Sequence, residues 1–183
     1  DFTPYAKGEY FGHITEVDSK VLDVKGGQYK ARLYTFTVEV ADENKDKDFH
    51  YEGIDGKPVA TKGNVYIGGK FKGKLWRFLE PSKDDTFESN SENNVAYLRF
   101  CQALGLTIET TKREVHGKTI DVQVLPTLTE EDINGRPVIA VVGRDKDWVN
   151  NDGETMPSYR VKFVKLWKDG KRLADTTTND LPC

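Results

Sequence analysis

Alternating apolar and polar positions predict that most of this chain forms β-strands. Residues 8–18 carry aromatic and β-branched side chains between turn signals, as a first strand commonly does. A glycine-containing turn at residues 25–28 leads into residues 29–40, so the two stretches are expected to form a hairpin. Residues 42–48 are mostly charged and break the alternation, which indicates a loop.

Glycines divide the middle of the chain. Residues 49–64 contain three glycines and a proline, so we predict a loop with at most a short strand there. Residues 65–80 form a third strand region, which its internal glycines should bend or bulge. The remaining predictions are strands at residues 118–125, 136–142 and 159–168 and a polar loop at residues 144–158.

One stretch, at about residues 89–104, has helical periodicity. Ser89 and Glu92 have the spacing of a capping box, and Gly105 suits the position just past the helix end. Four apolar side chains recur along one predicted face of this helix: Val95, Leu98, Cys101 and Leu104.

About six strands, with the helix between the third and the fourth, predict a mainly β protein. Their order favours a Greek-key barrel of the oligonucleotide/oligosaccharide-binding (OB) type, and a small β-sandwich is the alternative. A chain of 183 residues suits one domain. We therefore predict a single OB-like domain over residues 1–183, with residues 42–64 and 144–158 as loop insertions.

Strand alternation makes the third strand region informative, because residues two apart share a face. The odd positions include Phe71, Leu75 and Leu79, which should face the core, with Arg77 as the charged exception. The even positions present three ammonium groups followed by two aromatic rings: Lys70, Lys72, Lys74, Trp76 and Phe78. Cations that follow phosphates and rings that stack on unpaired bases are what a single-stranded nucleic acid requires.

The charge of the chain is segregated. Its formal net charge of −3 alone argues against a nucleic-acid binder, but a basic stripe can capture phosphates on an acidic protein. Residues 62–77 hold five basic residues and no acid, and residues 160–172 hold six basic residues against one acid. The acids gather at residues 39–48, 84–92 and 130–132.

Further candidate DNA-binding residues come from these basic segments and from the second strand. The segment at residues 159–172 also contains Tyr159 and Phe163, but its apolar residues do not alternate cleanly. In addition to the even face, the candidates are Arg77, Lys62, Lys30, Arg32, Tyr34, Arg160, Lys162 and Trp167. Tyr34 is the weakest of them, because it alternates with Phe36 and Val38 as a core face does.

An ordered set of motifs over residues 8–142 resembles a phage-encoded family of small proteins, formerly a domain of unknown function. The motifs are Gly8-Glu9-Tyr10, the strand at residues 33–40, the FKGKLWRFL stretch at residues 71–79, the helix end FCQALG at residues 100–105, His116-Gly117-Lys118, and Val122-Gln123-Val124. This family is associated with single-stranded DNA binding beside replication and recombination genes. The resemblance implies an OB-type barrel and sequence-tolerant binding without catalysis.

Signatures of enzymes are missing from the sequence. The three histidines lie at no metal-ligand spacing, and no phosphate loop or nucleophile elbow occurs. Glu130, Glu131 and Asp132 precede a turn, so we expect a solvated loop or the edge of a turn there. We predict no catalytic residue, no metal and no cofactor.

The expected setting is the cytoplasm, that of the host cell if a phage encodes the chain. Two cysteines are too few for a disulfide framework, and no apolar stretch reaches membrane-spanning length. The expected partners are single-stranded DNA and replication or recombination proteins of phage or host, and a homo-oligomer is compatible with the sequence. Two functions remain as alternatives: a virion-type assembly protein that uses the aromatic and basic face as a protein interface, and a carbohydrate-binding β-domain.

Overall fold

The computed structural model describes residues 3–24, 26–27, 29–79 and 94–174. Its strands are β1 (Gly8–Val24), β2 (Tyr29–Val40), β3 (Asp48–Glu52), β4 (Pro58–Lys62), β5 (Lys70–Phe78), β6 (Thr110–Val115), β7 (Lys118–Gln123), β8 (Pro137–Arg144), β9 (Trp148–Val149), β10 (Thr155–Met156) and β11 (Tyr159–Leu166). Its α-helices are α1 (Val95–Ala103) and the single turn α2 (Glu130–Ile133). Two 3-10 turns lie at Asp42–Asn44 and Gly63–Tyr66.

Five of these strands form one antiparallel sheet in the order β11–β8–β1–β2–β5. This arrangement confirms the predicted mainly β class with one substantial helix. Between the edge strands β5 and β11 there is no hydrogen-bonded pairing in the described part of the chain, so the sheet is open. The two edges nevertheless come close, because a Cβ atom placed on Gly73 of β5 would lie 3.1 Å from the Cβ of Val161 on β11. The OB assignment stays a prediction.

Three hairpins outside this sheet correct the predicted loops and the strand count. Strands β3 and β4 pair within residues 48–62, where the glycines and the proline indicated a loop. Strands β9 and β10 form a short hairpin inside the predicted loop at residues 144–158. The hairpin of β6 and β7 adds a strand that the sequence pattern did not reveal. These strands are only two to six residues long, too short for alternation to stand out.

Strand β1 continues well past the predicted residue 18, and it pairs along both edges. Its first part pairs with β8, and from Gly12 onward it pairs with β2. The register shifts between Ile14 and Glu16, as it does at a β-bulge. A bulge bends a strand and increases its twist, which lets one long strand serve both halves of the sheet.

Helix α1 packs on β5 and β11 with a wider apolar face than predicted. Val95 is 43% exposed, whereas Tyr97, Phe100 and Ala103 join the predicted residues in the core. At its C-terminal end Gly105 adopts φ +90°, and the N–H groups of residues 105 and 106 donate to the carbonyls of residues 102 and 101, as in a Schellman motif. The predicted capping box of Ser89 and Glu92 lies outside the described residues.

Two further predictions concern residues 130–132 and the turn between β1 and β2. Residues 130–132 form the start of the one-turn helix α2 rather than a loop. In the β1–β2 turn, Gly26 and Gly27 have positive φ angles, while Lys25 and Gln28 lie outside the described residues. None of the helices in the described part of the chain combines the length and the apolar character needed to cross a bilayer.

Candidate nucleic-acid interface

The predicted alternation along β5 is confirmed. Phe71 and Leu75 are buried in the core, and the lysines at positions 70, 72 and 74 are exposed on the opposite face. Trp76 continues this face with 39% of its surface exposed. Cross-strand pairing with β2 places the buried Thr37 opposite Lys72 and the half-buried Thr35 opposite Lys74.

A groove of about 520 Å³, which we call the strand groove, lies between β5, the first two strands and the start of β11. Its basic residues are Lys72, Lys74 and Arg160. Its acidic residues are Glu16, Asp18 and Asp145. Two of these acids have cationic neighbours: Glu16 lies 3.5 Å from Lys70 Nζ, and Asp145 lies 3.9 Å from Arg160 Nε. The strand groove is therefore polar and balanced in charge.

A second groove of about 660 Å³, which we call the helix groove, lies between β5, β11 and α1. It is lined by four cations and by no acid: Lys74, Arg99, Lys162 and Lys165. Lys165 forms an ion pair with Glu9, and this hydrogen bond lowers the pKa of the Glu9 carboxyl below its ordinary value. The helix groove thus has the stronger basic character of the two.

The floor of the helix groove is apolar. It is made by side chains from β2, β5, α1 and β11: Phe36, Leu75, Phe100, Ala103, Val161 and Val164. At its rim Phe163 and Leu166 are 55% and 51% exposed. An apolar floor with a cationic rim suits a ligand that has both flat apolar groups and negative charge.

The two grooves adjoin, because Lys74 and Phe36 line both. Within the described ranges, four cations that line the grooves make no ion pair: Lys72, Lys74, Arg99 and Lys162. The structure thus brings the predicted residues Arg160 and Lys162 of β11 beside the predicted lysines of β5.

Two predicted site residues are corrected by the structure. Tyr34 is 1% exposed, and its hydroxyl donates to the carbonyl of Leu128 at 2.9 Å, so it belongs to the core. Arg77 points away from the lysine face. Its Nη1 donates to the carbonyl of Pro126 at 3.1 Å, and its guanidinium lies 5.1 Å from the centroid of the Tyr97 ring. Both side chains hold the fold together and face neither groove.

Other predicted residues lie outside the two grooves. Trp167 follows β11 and packs on Phe11 and His13, with ring centroids 5.0 and 5.4 Å apart. Lys62 pairs with Asp48 across the β3–β4 hairpin. The following also line neither groove: Lys30, Arg32, Lys70, Trp76 and Phe78. Of these, Lys70 and Trp76 share the exposed face of β5 with the groove lysines.

Three residues that the predicted site omitted line the helix groove: Arg99, Phe163 and Lys165. Arg99 follows Ala96 by three positions and precedes Ala103 by four, so helical spacing places all three on one side of α1. That spacing was readable in the sequence. The position of the helix beside β11 was not.

Nucleophilic and metal-binding side chains are few in the described ranges. Cys101 is fully buried, and burial raises the pKa of its thiol to about 11, so the thiol is protonated at neutral pH. No cluster of three His, Cys, Asp or Glu side chains that could hold a metal ion occurs in the portion that the structure describes.

Comparisons of this chain with models of protein families, with curated proteins and with solved structures each return no match.

Proposed function

We propose that this protein binds single-stranded DNA without sequence preference and without catalysing a reaction. Its role would lie in phage DNA replication or recombination, as the resemblance of its motifs implies. The OB-type fold belongs to this proposal, because the sheet order and the helix between β5 and β8 follow the pattern expected of such a barrel.

One observation carries the proposal: cations from three separate parts of the chain line two adjoining grooves. Lys72 and Lys74 come from β5, Arg99 comes from α1, and Arg160 comes from β11. A row of cations set along a groove, and not scattered over the surface, is suited to a linear polyanion. Trp76 and Phe163 add exposed rings on which bases can stack.

Further parts of the proposal concern setting and partners. We propose that the protein acts in the cytoplasm of the host cell, beside replication or recombination proteins of phage or host. Self-association along the DNA strand is compatible with this proposal.

The test is a titration with oligo-dT, followed by tryptophan fluorescence at several salt concentrations. Each phosphate contact contributes about −0.7 to the slope of log affinity against log salt for a single strand. The double variant Lys72→Gln/Lys74→Gln is expected to bind more weakly and to reduce the slope by about 1.4. Lys57→Gln, on the exposed β3–β4 turn and outside both grooves, is the matched control and should bind like the original protein.

Absence of binding at low salt, or an affinity that ignores salt, would contradict the proposal. An assembly protein would instead form stable oligomers without DNA, and Trp76→Ala would change its oligomeric state. A carbohydrate-binding domain would bind sugars with little dependence on salt or on the lysines.

A further inference from the structure

We propose that the helix groove is a nucleobase-binding subsite, which takes unpaired bases while the cations at its rim hold the adjoining phosphates. This inference rests on the proposed function and deepens it, because it assigns the two grooves different parts of the same DNA strand. It also adds Arg99, Phe163 and Lys165 to the binding residues.

The floor of the helix groove has the chemistry that a base requires. Phe36, Leu75 and Phe100 form an apolar base that is only 5–7% exposed, and the half-exposed side chains of Phe163 and Leu166 supply the apolar surface on which a base can lie. The volume of 660 Å³ lies within the range of about 300–1,000 Å³ that is typical of small-molecule sites. Flat rings that leave water for this floor gain free energy by burying apolar surface.

The rim of the groove explains why the occupant is a nucleic acid and not a neutral apolar molecule. Lys74, Arg99, Lys162 and Lys165 line the groove beside the apolar floor, and of these only Lys165 is paired with an acid among the described residues, Glu9. Such complementarity favours an occupant that carries several negative charges beside apolar rings. A nucleotide strand has both, with its phosphates and its bases alternating along one chain.

The position of the helix groove beside the strand groove is a second reason to expect bases there. The helix groove adjoins the strand groove at Lys74 and Phe36, so one strand can lie in both without leaving the surface. The strand groove is lined by as many acidic as basic residues, and there Lys72, which forms no ion pair with another described residue, and the half-buried Thr35 can contact phosphates and sugars. In the helix groove the same strand can turn its bases inward, where the half-exposed ring of Phe163 offers a stacking face.

If the helix groove binds bases and the strand groove binds phosphates and sugars, the protein should prefer single strands to duplexes. Bases in a duplex are paired and stacked on their neighbours, so their faces cannot reach the floor of the groove unless the helix is opened. Phosphate contacts alone would not distinguish the two forms so strongly.

The test compares oligo-dT of about 16 nucleotides, the upper end of common site sizes, with a strand of the same length whose bases are replaced by hydrogen. The second strand keeps its phosphates and loses its bases. The unsubstituted protein should bind the abasic strand about tenfold more weakly or worse, because even one lost stacking contact is worth about that much. Phe163→Ala should weaken oligo-dT binding by about fivefold or more and leave abasic binding unchanged. Ile54→Ala, at a fully exposed position outside both grooves, is the apolar control and should change neither affinity.

A second variant tests the rim separately. Arg99→Gln should reduce the salt slope for both strands by about 0.7, because it removes a phosphate contact and no stacking surface. The side chains of Arg99 and Phe163 are both exposed, so circular dichroism and thermal melting should show that the Arg99→Gln and Phe163→Ala variants are folded.

Three results would overturn the inference while leaving the proposed function intact. They are equal affinity for the two strands, equal weakening of both by Phe163→Ala, and no change in salt slope for Arg99→Gln, each alongside salt-dependent binding that needs Lys72 and Lys74. An oligo-glutamate peptide that binds as tightly as oligo-dT would also overturn it, because such a peptide has no bases. Failure of both strands to bind at low salt would reject the proposed function itself.

Discussion

Asn44 shows how one buried polar side chain joins an insertion to the main sheet. Its side chain is fully buried in the 3-10 turn that follows β2. The Oδ1 atom accepts a hydrogen bond from the Phe11 N–H at 2.9 Å, and Nδ2 donates to the carbonyls of Phe11 and Ala41 at 2.7 and 2.8 Å. The amide thereby gives the Phe11 N–H of β1 an acceptor, and it adds a second donor to the Phe11 carbonyl, which also accepts from the Ala41 N–H at 3.0 Å.

We therefore expect Asn44→Ala to lower the free energy of unfolding by about 1–3 kcal/mol, since it leaves the partly buried Phe11 N–H unsatisfied. Urea denaturation followed by circular dichroism measures this loss. Asn64→Ala, at an exposed position in the neighbouring 3-10 turn, is the control and should stay within about 0.5 kcal/mol. Equal midpoints for the two variants would contradict this account.

Arg77 illustrates what residue type alone cannot tell. Its charge suggested a DNA contact, but its odd position placed it on the core side of β5. The Arg77 side chain lies on the core side, because its guanidinium can cover the face of Tyr97 and still donate to the Pro126 carbonyl. Strand parity was therefore a better guide than charge.

Within β5, Gly73 is needed for packing and not for a turn. A Cβ atom at this position would lie 2.5 Å from Cζ of Phe36 and 3.1 Å from Cβ of Val161. Both neighbours belong to the core, and Phe36 also lines both grooves. The sequence pattern indicated a bend here, whereas the strand continues unbroken from Lys70 to Phe78.

Gly73→Ala should therefore destabilise the protein by about 1–3 kcal/mol, the usual cost of overfilling a packed core. Thermal unfolding measures the effect as a lower Tm. Lys72→Ala is the matched control, because its side chain lies on the exposed face of the same strand and contributes no core contact. A Gly73→Ala variant as stable as this control would show that the core can yield at Phe36.

The one-turn helix α2 has a capping box that titrates. Thr129 Oγ1 accepts from the N–H of Asp132 at 3.3 Å, while the carboxylate of Asp132 accepts from the N–H of Thr129 at 2.7 Å. Two hydrogen bonds to the carboxylate hold the pKa of Asp132 below its ordinary value of 3.8, first the one from the Thr129 N–H and then one from the Thr129 hydroxyl at 2.9 Å.

A pKa that is lower in the folded state means that the carboxylate form stabilises the fold. This contribution is complete above pH 4 or so, the ordinary pKa of the side chain, and it is lost as pH falls through the lowered pKa. Below the ordinary pKa of the side chain, Asp132→Asn should therefore make Tm depend less on pH. Near neutrality it should change the slope of Tm against pH less. Because Asp132 is only half-buried and solvent screens its charge, the change will be modest. Identical curves of Tm against acidic pH for the original protein and for Asp132→Asn would contradict this role.

Strand β11 shows why its pattern was hard to interpret. The register shifts between Val161 and Phe163, so that Val161 and Val164 both face the core although they are three positions apart. A bulge of this kind breaks the two-residue alternation on which strand prediction depends. It also directs Phe163 outward, to the rim of the helix groove.

The position of each strand in the main sheet predicts its protection against hydrogen exchange. β8, β1 and β2 have partners on both sides, whereas β5 and β11 have one unpaired edge each in the described sheet. Amides of the three inner strands are therefore expected to exchange most slowly, and those of the short β9–β10 hairpin among the fastest. Mass spectrometry of deuterium uptake measures this order.

Addition of oligo-dT extends the same experiment to the proposed function. Uptake should fall in β5, β11 and α1, whose side chains line the two grooves, and it should not change in the β6–β7 hairpin. Protection confined to β6 and β7 would place the DNA on another surface.

The mainly β class, the helix and the exposed face of β5 could all be predicted from the sequence. These features follow from local periodicity, because burial on one side of a strand or helix leaves a regular pattern in the residues. The sequence did not reveal that Arg99, Lys162 and Lys165 line the same groove as Lys74, or that Arg160 lines the adjoining one. That placement depends on the close approach of β5 and β11 and on the packing of α1 on both, which are contacts between elements far apart in the chain. No local pattern records such contacts, and for this reason the lysine row was predictable whereas the helix groove was not.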